Sequence, residues 1–227
     1  MTQTEWLPVP GIRLAAVEAG IKKANRKDLV LLELAEGSRV SGVFTLNRFC
    51  AAPVQVAKRR LAAEAPKYLM INTGYANAGT GKKGMENCLA SCRLLAEAAG
   101  CREDQVLPYS TGVIGEQFPL PAFEKGLPHA LAALDEHHWG RASEGIMTTD
   151  TYPKLTSRRV EIDGVPITVT GMAKGSGMIK PNMATMLGFI ATDAPIAKPL
   201  LDQWVKTLAD KSFNRVTVDG DTSTNDA

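Results

Sequence analysis

The sequence predicts a mixed α/β protein, because segments with two different periodicities alternate along its 227 residues. Short runs rich in branched residues and bounded by turn residues are typical of strands, and the clearest are residues 12–18, 29–34 and 39–45. Residues 85–99 carry apolar side chains at helical spacing, which predicts an amphipathic helix. With 44% hydrophobic and 22% charged residues, the chain can bury a core as one large domain or two small ones.

The other elements follow from the same signals in chain order. The first three strands are joined by short turns, which predicts an antiparallel meander. A helix is predicted for residues 53–64, since Pro53 fits the first turn of a helix. The remaining predictions are a strand at 68–72, a strand that ends near Ser110, short helices within 119–140, a hairpin of 158–162 and 165–170 about Asp163 and Gly164, a strand up to Thr192, a helix at 199–209 and a strand from Phe213.

The composition gives no support for several classes of partner. A net charge of +2 offers no reason to expect binding to nucleic acid or to a membrane surface. The first residues lack the basic start and apolar run of a secretory signal, and no apolar stretch reaches the roughly 20 residues that a bilayer requires. We therefore expect a cytoplasmic protein, with neither nucleic acid nor membrane among its partners.

The cysteines and histidines do not form a recognisable metal site. Cys88 and Cys92 lie four residues apart on the apolar stripe of the predicted helix, which favours buried thiols. A zinc site would need two further ligands, and Cys50 and Cys101 show no ligand spacing. The three histidines fall within residues 129–138, beside acidic residues on a predicted surface helix. We expect no metal and no catalytic histidine.

Two features raise the question of phosphate binding. Residues 74–84 form a glycine-rich loop before a predicted helix, where backbone N–H groups could approach an anion. The loop lacks the Gly-Lys-[Ser/Thr] ending of a Walker sequence, so scaffolding of a site is the alternative. Basic clusters at residues 22–27 and 58–60 are interpreted as solvated faces, with contact to coenzyme phosphates as the second interpretation.

The most informative stretch is the junction between Ala184 and Thr185. A segment rich in glycine precedes it, and an apolar, strand-like segment follows it. If the bond between these two residues were cut, the freed α-amine, with a reference pKa of roughly 7.7 to 8.0, could act as a base toward the threonine Oγ. A threonine with a hydrogen-bonded hydroxyl at the start of a strand is the simpler interpretation, and the residues alone do not exclude it.

Three other positions are candidates for binding or catalysis. A strand that ends in Ser-Thr-Gly can present the Thr111 hydroxyl and a following amide at one point, as an oxyanion hole requires, or it can be a plain turn. Thr148 lies in a threonine-rich loop that could hydrogen-bond an amino acid. Lys174 could hold a carboxylate or polarise a carbonyl. The alternatives for the last two are a solvated loop threonine and a surface lysine.

Residues 174–187 (KGSGMIKPNMATML) resemble the self-cleavage signature of the ornithine acetyltransferase family, also called the glutamate N-acetyltransferase family of arginine biosynthesis. Four other segments resemble family segments in the same order, namely residues 72–81 (NTGYANAGTG), 110–115 (STGVIG), 147–151 (MTTDT) and 218–226 (VDGDTSTND). The resemblance therefore spans nearly the whole chain.

The resemblance implies a layered α-β-β-α sandwich, an arrangement shared with self-processing aminopeptidases. It implies cleavage between Ala184 and Thr185, so that residues 1–184 form an α-chain and residues 185–227 begin a β-chain. Thr185 would then be the nucleophile and also contact the substrate.

The other roles that the resemblance implies fall on four residues. Thr111 and Gly112 would form the oxyanion hole, and Thr148 and Lys174 would bind the substrate. Family members continue beyond the position of residue 227, and their later substrate-binding residues have no counterpart here. We therefore expect an unfinished sheet after Val218 and no activity for this piece in isolation.

The implied activity is transfer of acetyl from N-acetylornithine to glutamate through an acetyl-threonine. No cofactor is expected, and acetyl-CoA is a further candidate donor that the residues do not decide. The implied partners are the two small-molecule substrates and the chain's own second fragment, in a heterotetramer of two α and two β chains. The alternatives are a self-processing aminopeptidase or amidohydrolase of the same fold, and a non-catalytic fragment.

Overall fold

The computed structural model describes residues 6–63, 65–179 and 186–227, which form two β-sheets and several helices. The strands are β1 Ile12–Val17, β2 Leu29–Leu34, β3 Tyr68–Tyr75, β4 Val106–Val113, β5 Lys154–Ile162, β6 Val165–Lys174 and β7 Leu187–Thr192. The α-helices are α1 Ala52–Ala63, α2 Gly81–Ala99, α3 Leu120–Ala132, α4 Trp139–Gly145 and α5 Lys198–Lys211, and short 3₁₀ helices lie at Glu103–Gln105 and Phe213–Arg215.

The first sheet has the strand order β1-β2-β3-β4. The first two pairs are antiparallel, and β3 and β4 are parallel, with helix α2 in the crossover between them. Parallel strands end at the same edge of a sheet, so Thr73 lies opposite Thr111 and Gly74 lies opposite Gly112. This shared edge is where the candidate site forms.

Both faces of the first sheet are buried, because alternate residues of each strand point to opposite sides. On one face, Leu31, Met70 and Val106 pack in a cluster with residues of α2 and α3. On the other face, Ile71 and Leu107 belong to a cluster shared with helix α4 and the second sheet. The sheet is therefore sealed by helices on one side and by the second sheet on the other.

The second sheet is antiparallel, with the order β5-β6-β7. The predicted hairpin is confirmed, since Asp163 and Gly164 adopt positive φ angles of 52° and 78° at the turn between β5 and β6. The inward face carries Met172 and Phe189, and the Phe189 ring meets Tyr109 of β4 edge to face at 5.2 Å between centroids. In the part of the chain described, apolar residues of the outward face such as Ile190 are exposed.

The mixed α/β class with two packed sheets is confirmed, and two local predictions are wrong. Residues 39–45 form no strand, because β3 occupies the position beside β2 where a third meander strand would pair. The amide of Thr45 instead donates to the carbonyl of Asp226. Residues from Phe213 form a 3₁₀ turn rather than a strand. Among the residues described, no helix combines the length and apolar character that a bilayer crossing requires.

Candidate active site

A cleft of about 460 Å³ opens at the edge where β3 and β4 end. Its walls come from the β1–β2 loop, the ends of β3, β4 and β6, and three loops at residues 148–149, 176–178 and 223–225. They include Lys22, Lys23, Arg26, Thr73, Gly74, Thr111, Gly112, Thr148, Lys174, Ser176 and Asn225. The cleft thus brings together four of the residues predicted from the sequence, which lie far apart along the chain.

Lys174 ends β6 and is only 4% exposed, so it is not the solvated surface lysine of the alternative interpretation. Its Nζ donates to Oγ1 of Thr111 at 2.9 Å. Burial lowers the pKa of Lys174, and the nearby carboxylates of Asp150 and Asp226 partly offset this effect. Because an ammonium group can only donate, the Thr111 oxygen is the acceptor and its own proton is free to point elsewhere.

Gly112 makes the end of β4 possible. Its φ angle is 136°, and a Cβ at this position would lie 2.3 Å from the carbonyl carbon of Gly74. A side chain would therefore collide with the backbone of β3, and only glycine fits. The pairing of β3 with β4 becomes irregular between Gly74 and Tyr75, next to this contact. The close approach fixes where Thr111 and Gly112 face the cleft.

Thr148 lies in a loop that is tied down from two sides. The guanidinium of Arg26 donates to the carbonyl oxygens of Met147 and Thr148. On the other side, Asp150 accepts hydrogen bonds from the backbone N–H of Gly175 at 2.8 Å and from that of Thr148 at 3.4 Å. The threonine lines the cleft in this loop.

Asp150 is the centre of this loop network. Its side chain is almost fully buried and pairs with Lys154 at 2.5 Å. Burial raises the pKa of Asp150, but the bond from Lys154 and the N–H groups of Gly175 and Thr148 outweigh it, so the pKa is lowered overall. The carboxylate thereby joins the Thr148 loop to the residue that follows Lys174.

The basic cluster at residues 22–27 borders the cleft instead of forming a separate solvated face. Lys22 donates to Glu116 at 2.6 Å and its Nζ lies 4.5 Å from the centre of the Tyr75 ring. Arg26 is occupied by the Thr148 loop. Lys22 and Arg26 therefore already have protein partners.

The glycine-rich loop at residues 74–84 acts as scaffolding over most of its length. A Cβ on Gly84 would lie 1.8 Å from Oγ1 of Thr80, and Asn77 donates to the carbonyl of Gly84 at 2.9 Å. Thr80 also donates to Asn77 at 2.7 Å. These contacts pack the start of α2 against the loop, and of its described residues only Gly74 and Ala76 are among the walls of the cleft.

The cysteines and histidines lie apart from the cleft. Cys88 and Cys92 are buried in α2, as predicted, and the structure has all four cysteines as free thiols. Within residues 6–63, 65–179 and 186–227, no group of three or more His, Cys, Asp or Glu side chains could hold a metal ion. The histidines of residues 129–138 are absent from the cleft walls.

The predicted cleavage residues Ala184 and Thr185 lie outside the described residues. The residue that follows them, Met186, donates its backbone N–H to Oδ1 of Asp226 at 2.8 Å. Strand β7 begins at Leu187, which pairs with Lys174 of β6. The described chain therefore resumes beside the lysine of the candidate site.

Sequence reasoning gave no role to three polar residues at the site. Asn225 donates to the carbonyl oxygens of Ala76 and Ser110, and Asp226 holds the Met186 amide. Thr73, opposite Thr111, lines the cleft with a buried hydroxyl that has no hydrogen-bond partner among the described residues. Asn225 and Asp226 belong to the segment VDGDTSTND, whose resemblance to the family was the one sequence signal that could have pointed to them.

The ArgJ family model matches residues 13–227. The arginine biosynthesis bifunctional protein ArgJ of Pseudomonas fluorescens (strain Pf0-1) is 56% identical over 219 residues, which are 96% of this chain and 54% of that protein. The chain therefore spans about half the length of this curated relative.

Two solved structures are similar in both sequence and fold. ArgJ from Bacillus halodurans is 35% identical, with a TM-score of 0.71 over 78% of this chain and 92% of that chain. The ornithine acetyltransferase of Mycobacterium tuberculosis, solved in complex with ornithine, is 31% identical, with a TM-score of 0.68 over 81% of this chain and 94% of that chain.

A third structure shares the fold alone. The L-aminopeptidase D-Ala-esterase/amidase of Ochrobactrum anthropi, described as a variant of the Ntn hydrolase fold, is 14% identical, with a TM-score of 0.51 over 93% of this chain and 69% of that chain. The two-sheet architecture is thus common to both groups of enzymes. The family match and the identity to the curated relative establish the closer relationship: the chain belongs to the ArgJ family.

Proposed function

We propose that the protein transfers an acetyl group from N-acetylornithine to glutamate through an acetyl ester on Thr185. The observation that carries the proposal is the buried bond from Lys174 to Thr111, at a cleft edge next to the strand that follows Thr185. Membership of the ArgJ family supports it, and so does the similarity to an ornithine acetyltransferase that binds ornithine.

The first step is self-cleavage. The Oγ of Thr185 attacks the carbonyl carbon of Ala184, the acyl group moves from nitrogen to oxygen, and water hydrolyses the resulting ester. The products are an α-chain of residues 1–184 and a second chain that begins at Thr185. The new α-amine lies next to Oγ and serves as its base.

Acetyl transfer then takes two half-reactions. Thr185 Oγ attacks the acetyl carbonyl of N-acetylornithine while the α-amine takes its proton, and ornithine leaves with a proton on its amine. Glutamate attacks the acetyl ester through its neutral amine, the proton lost from that amine passes by way of the α-amine to Thr185 Oγ, and N-acetylglutamate leaves. The Thr111 hydroxyl and the Gly112 N–H stabilise the oxyanion in both half-reactions. The orientation of Thr111 supports this role, since its oxygen accepts from Lys174 and leaves its proton for the oxyanion.

Thr148 and Lys174 complete the substrate site. Both line the cleft, and the buried ammonium of Lys174 adds positive charge where a substrate carboxylate or the reacting carbonyl would lie. The chemistry requires no cofactor, because the acetyl group passes from an amide to an ester and then to an amine without any change in oxidation state. Acetyl-CoA is a further candidate donor in this proposal.

The proposal includes assembly and location. The α-chain stays with the second chain produced by cleavage, and two of each form a tetramer. The protein acts in the cytoplasm, which agrees with its four free cysteines.

Steady-state kinetics of the protein expressed from its complete gene test the proposal. Varying N-acetylornithine at several fixed glutamate concentrations should give the parallel double-reciprocal lines of a ping-pong mechanism. Thr185→Ala should abolish both cleavage and transfer. The matched control is Thr207→Ala, which alters an exposed threonine of α5 and should leave both unchanged.

Two results would refute the acetyltransferase proposal. Release of free acetate at the same rate with or without glutamate would make the protein a hydrolase. Full transfer by Thr185→Ala would exclude Thr185 as the nucleophile. A protein with no turnover and an unaltered mass would instead support the interpretation as a non-catalytic fragment.

A further inference from the structure

Residues 223–226 are buried although all four side chains are polar. Asp226 is only 2% exposed. Burying such groups is unfavourable unless they are hydrogen-bonded. The hydrogen-bond partners of this segment therefore show which parts of the fold it holds together.

Asn225 joins the ends of the two parallel strands. Its Nδ2 donates to the carbonyl of Ala76, just after β3, at 2.6 Å and to the carbonyl of Ser110 in β4 at 2.9 Å. Its Oδ1 accepts from Oγ1 of Thr224 at 2.6 Å, which fixes the orientation of the amide. The bond to Ser110 lies one residue before Thr111. Asn225 therefore holds the strand end that presents Thr111 and Gly112.

Asp226 binds the residue just before strand β7 of the second sheet. Its Oδ1 accepts from the N–H of Met186, the first amide after Thr185, at 2.8 Å. The neighbouring Ala227 accepts from the N–H of Gly188 at 3.0 Å and donates to the carbonyl of Met186 at 3.2 Å. Residues 226 and 227 thus run alongside the start of β7 and fix its position.

Two consecutive residues therefore bind β4 of one sheet and the start of β7 of the other. The two sheets have separate strand orders, with β4 in the first and β7 in the second. A rigid polar link between them sets the distance from Met186 to the end of β4, in a way that apolar packing alone does not.

We propose that Asn225 and Asp226 are positioning residues that hold the strand after Thr185 in register with Thr111 and Gly112. The catalytic part of this inference rests on the proposed function. Neither residue takes part in bond making in this account. Each acts by keeping the nucleophile within attacking distance of the oxyanion hole, where a misplacement of about 1 Å costs about 100-fold in rate.

A pair of isosteric substitutions tests the inference. Asn225→Asp removes both donors to Ala76 and Ser110 and places a carboxylate against two carbonyl oxygens. We expect kcat to fall by about 100-fold and self-cleavage to slow, with KM changed by less than about threefold. Asp226→Asn keeps an acceptor for the Met186 amide, so it should retain most of the kcat that Asp226→Ala loses.

The control is Thr222→Ala, which alters an exposed side chain in the same stretch of chain and should leave kcat unchanged. If Asn225→Asp does not fold, Thr224→Val replaces it, because that change removes only the donor to Asn225 Oδ1. Its expected loss of kcat is smaller, about tenfold. An unchanged kcat in Asn225→Asp, or in Thr224→Val when that variant is used instead, would overturn the inference.

Hydrogen exchange of the Met186 amide provides a readout that needs no activity. Exchange should be slow in the parent protein and in Asp226→Asn, and faster in Asp226→Ala. Equal exchange rates in the parent and Asp226→Ala would overturn the inference. If the parent protein transfers no acetyl group, the proposed function fails, while the exchange rates still decide whether Asp226 positions β7.

Discussion

The first sheet is buried on both faces, whereas the second sheet is buried on one face only in the part of the chain that is described. Leu107 of the first sheet is fully buried, and Ile190 of the second is 64% exposed. The difference follows from the neighbours of each sheet. Helices α2 and α3 cover the face of the first sheet that points away from the second sheet, whereas apolar residues on the outward face of the second sheet are exposed in the part of the chain that is described. Burial on both faces fixes the position of β4 more firmly than that of β7.

Several buried polar groups link the two sheets. Lys174 ends a strand of the second sheet and binds Thr111 of the first. Asn225 binds β4 of the first sheet, and Asp226 binds the residue just before β7 of the second. The first sheet therefore supplies a rigid wall of the cleft, while polar contacts hold the second sheet against it. Substitutions in one sheet or the other should therefore differ in their effect on the free energy of unfolding.

The largest effect is expected at the rigid wall, in Gly112→Ala. The new Cβ would collide with the backbone of β3, and the alanine would also have to adopt a φ angle of 136°. We expect a loss of about 4 kcal/mol or more in the free energy of unfolding, measured by urea denaturation. The matched control is Gly115→Ala, whose φ is also positive but whose Cβ would meet nothing within 4 Å. It should lose only about 1 to 2 kcal/mol, and equal losses would contradict the role of the close approach.

A second pair of substitutions compares the sheets directly. Leu107→Ala leaves a cavity in a core that is closed on both sides, and should cost about 3 kcal/mol in the free energy of unfolding. Ile190→Ala removes an exposed side chain and should stay within about 0.5 kcal/mol of the parent. Urea denaturation of both variants measures the contrast. A large loss in Ile190→Ala would show that this face is covered in solution.

A smaller, pH-dependent effect is expected for Asp150→Asn, which weakens the network behind Thr148. Hydrogen bonds to a charged group of this kind contribute about 2 kcal/mol at neutral pH. The pKa of Asp150 is lowered below its ordinary value of 3.8, so its stabilisation is present above pH 3.8 and is lost as the pH falls through the folded value. The difference in unfolding free energy between parent and variant should shrink on acidification, whereas a constant difference would exclude the charge as its source.

The sequence predicted the elements whose signals are local. The hairpin about Asp163 and Gly164 and the helix with Cys88 and Cys92 depend on turn residues and on helical spacing, and both are present. Residues 39–45 have the pattern of a strand, but no position beside β2 is open to them. Pairing order is a property of the whole sheet and does not appear in a short run of residues.

The candidate site was predictable only in part. Thr111, Thr148 and Lys174 were candidates from their local sequence, each with an ordinary alternative as a turn or surface residue, and the family resemblance implied roles for them and for Gly112. Asn225 could not be assigned a role, because its partners Ala76 and Ser110 lie 149 and 115 residues away in the sequence. Short polar residues such as Ser, Thr, Asn and Asp are typical of an exposed loop, and only the fold reveals that these are buried.

An intact-mass spectrum of the purified protein, recorded under denaturing conditions, tests the central claim most directly. The claim is that Thr185 becomes an N-terminal nucleophile in a chain cut from its own precursor. We expect two fragments that separate between Ala184 and Thr185, and an added acetyl group on the second fragment after incubation with N-acetylornithine alone. A single uncut mass in protein that transfers acetyl to glutamate would contradict it.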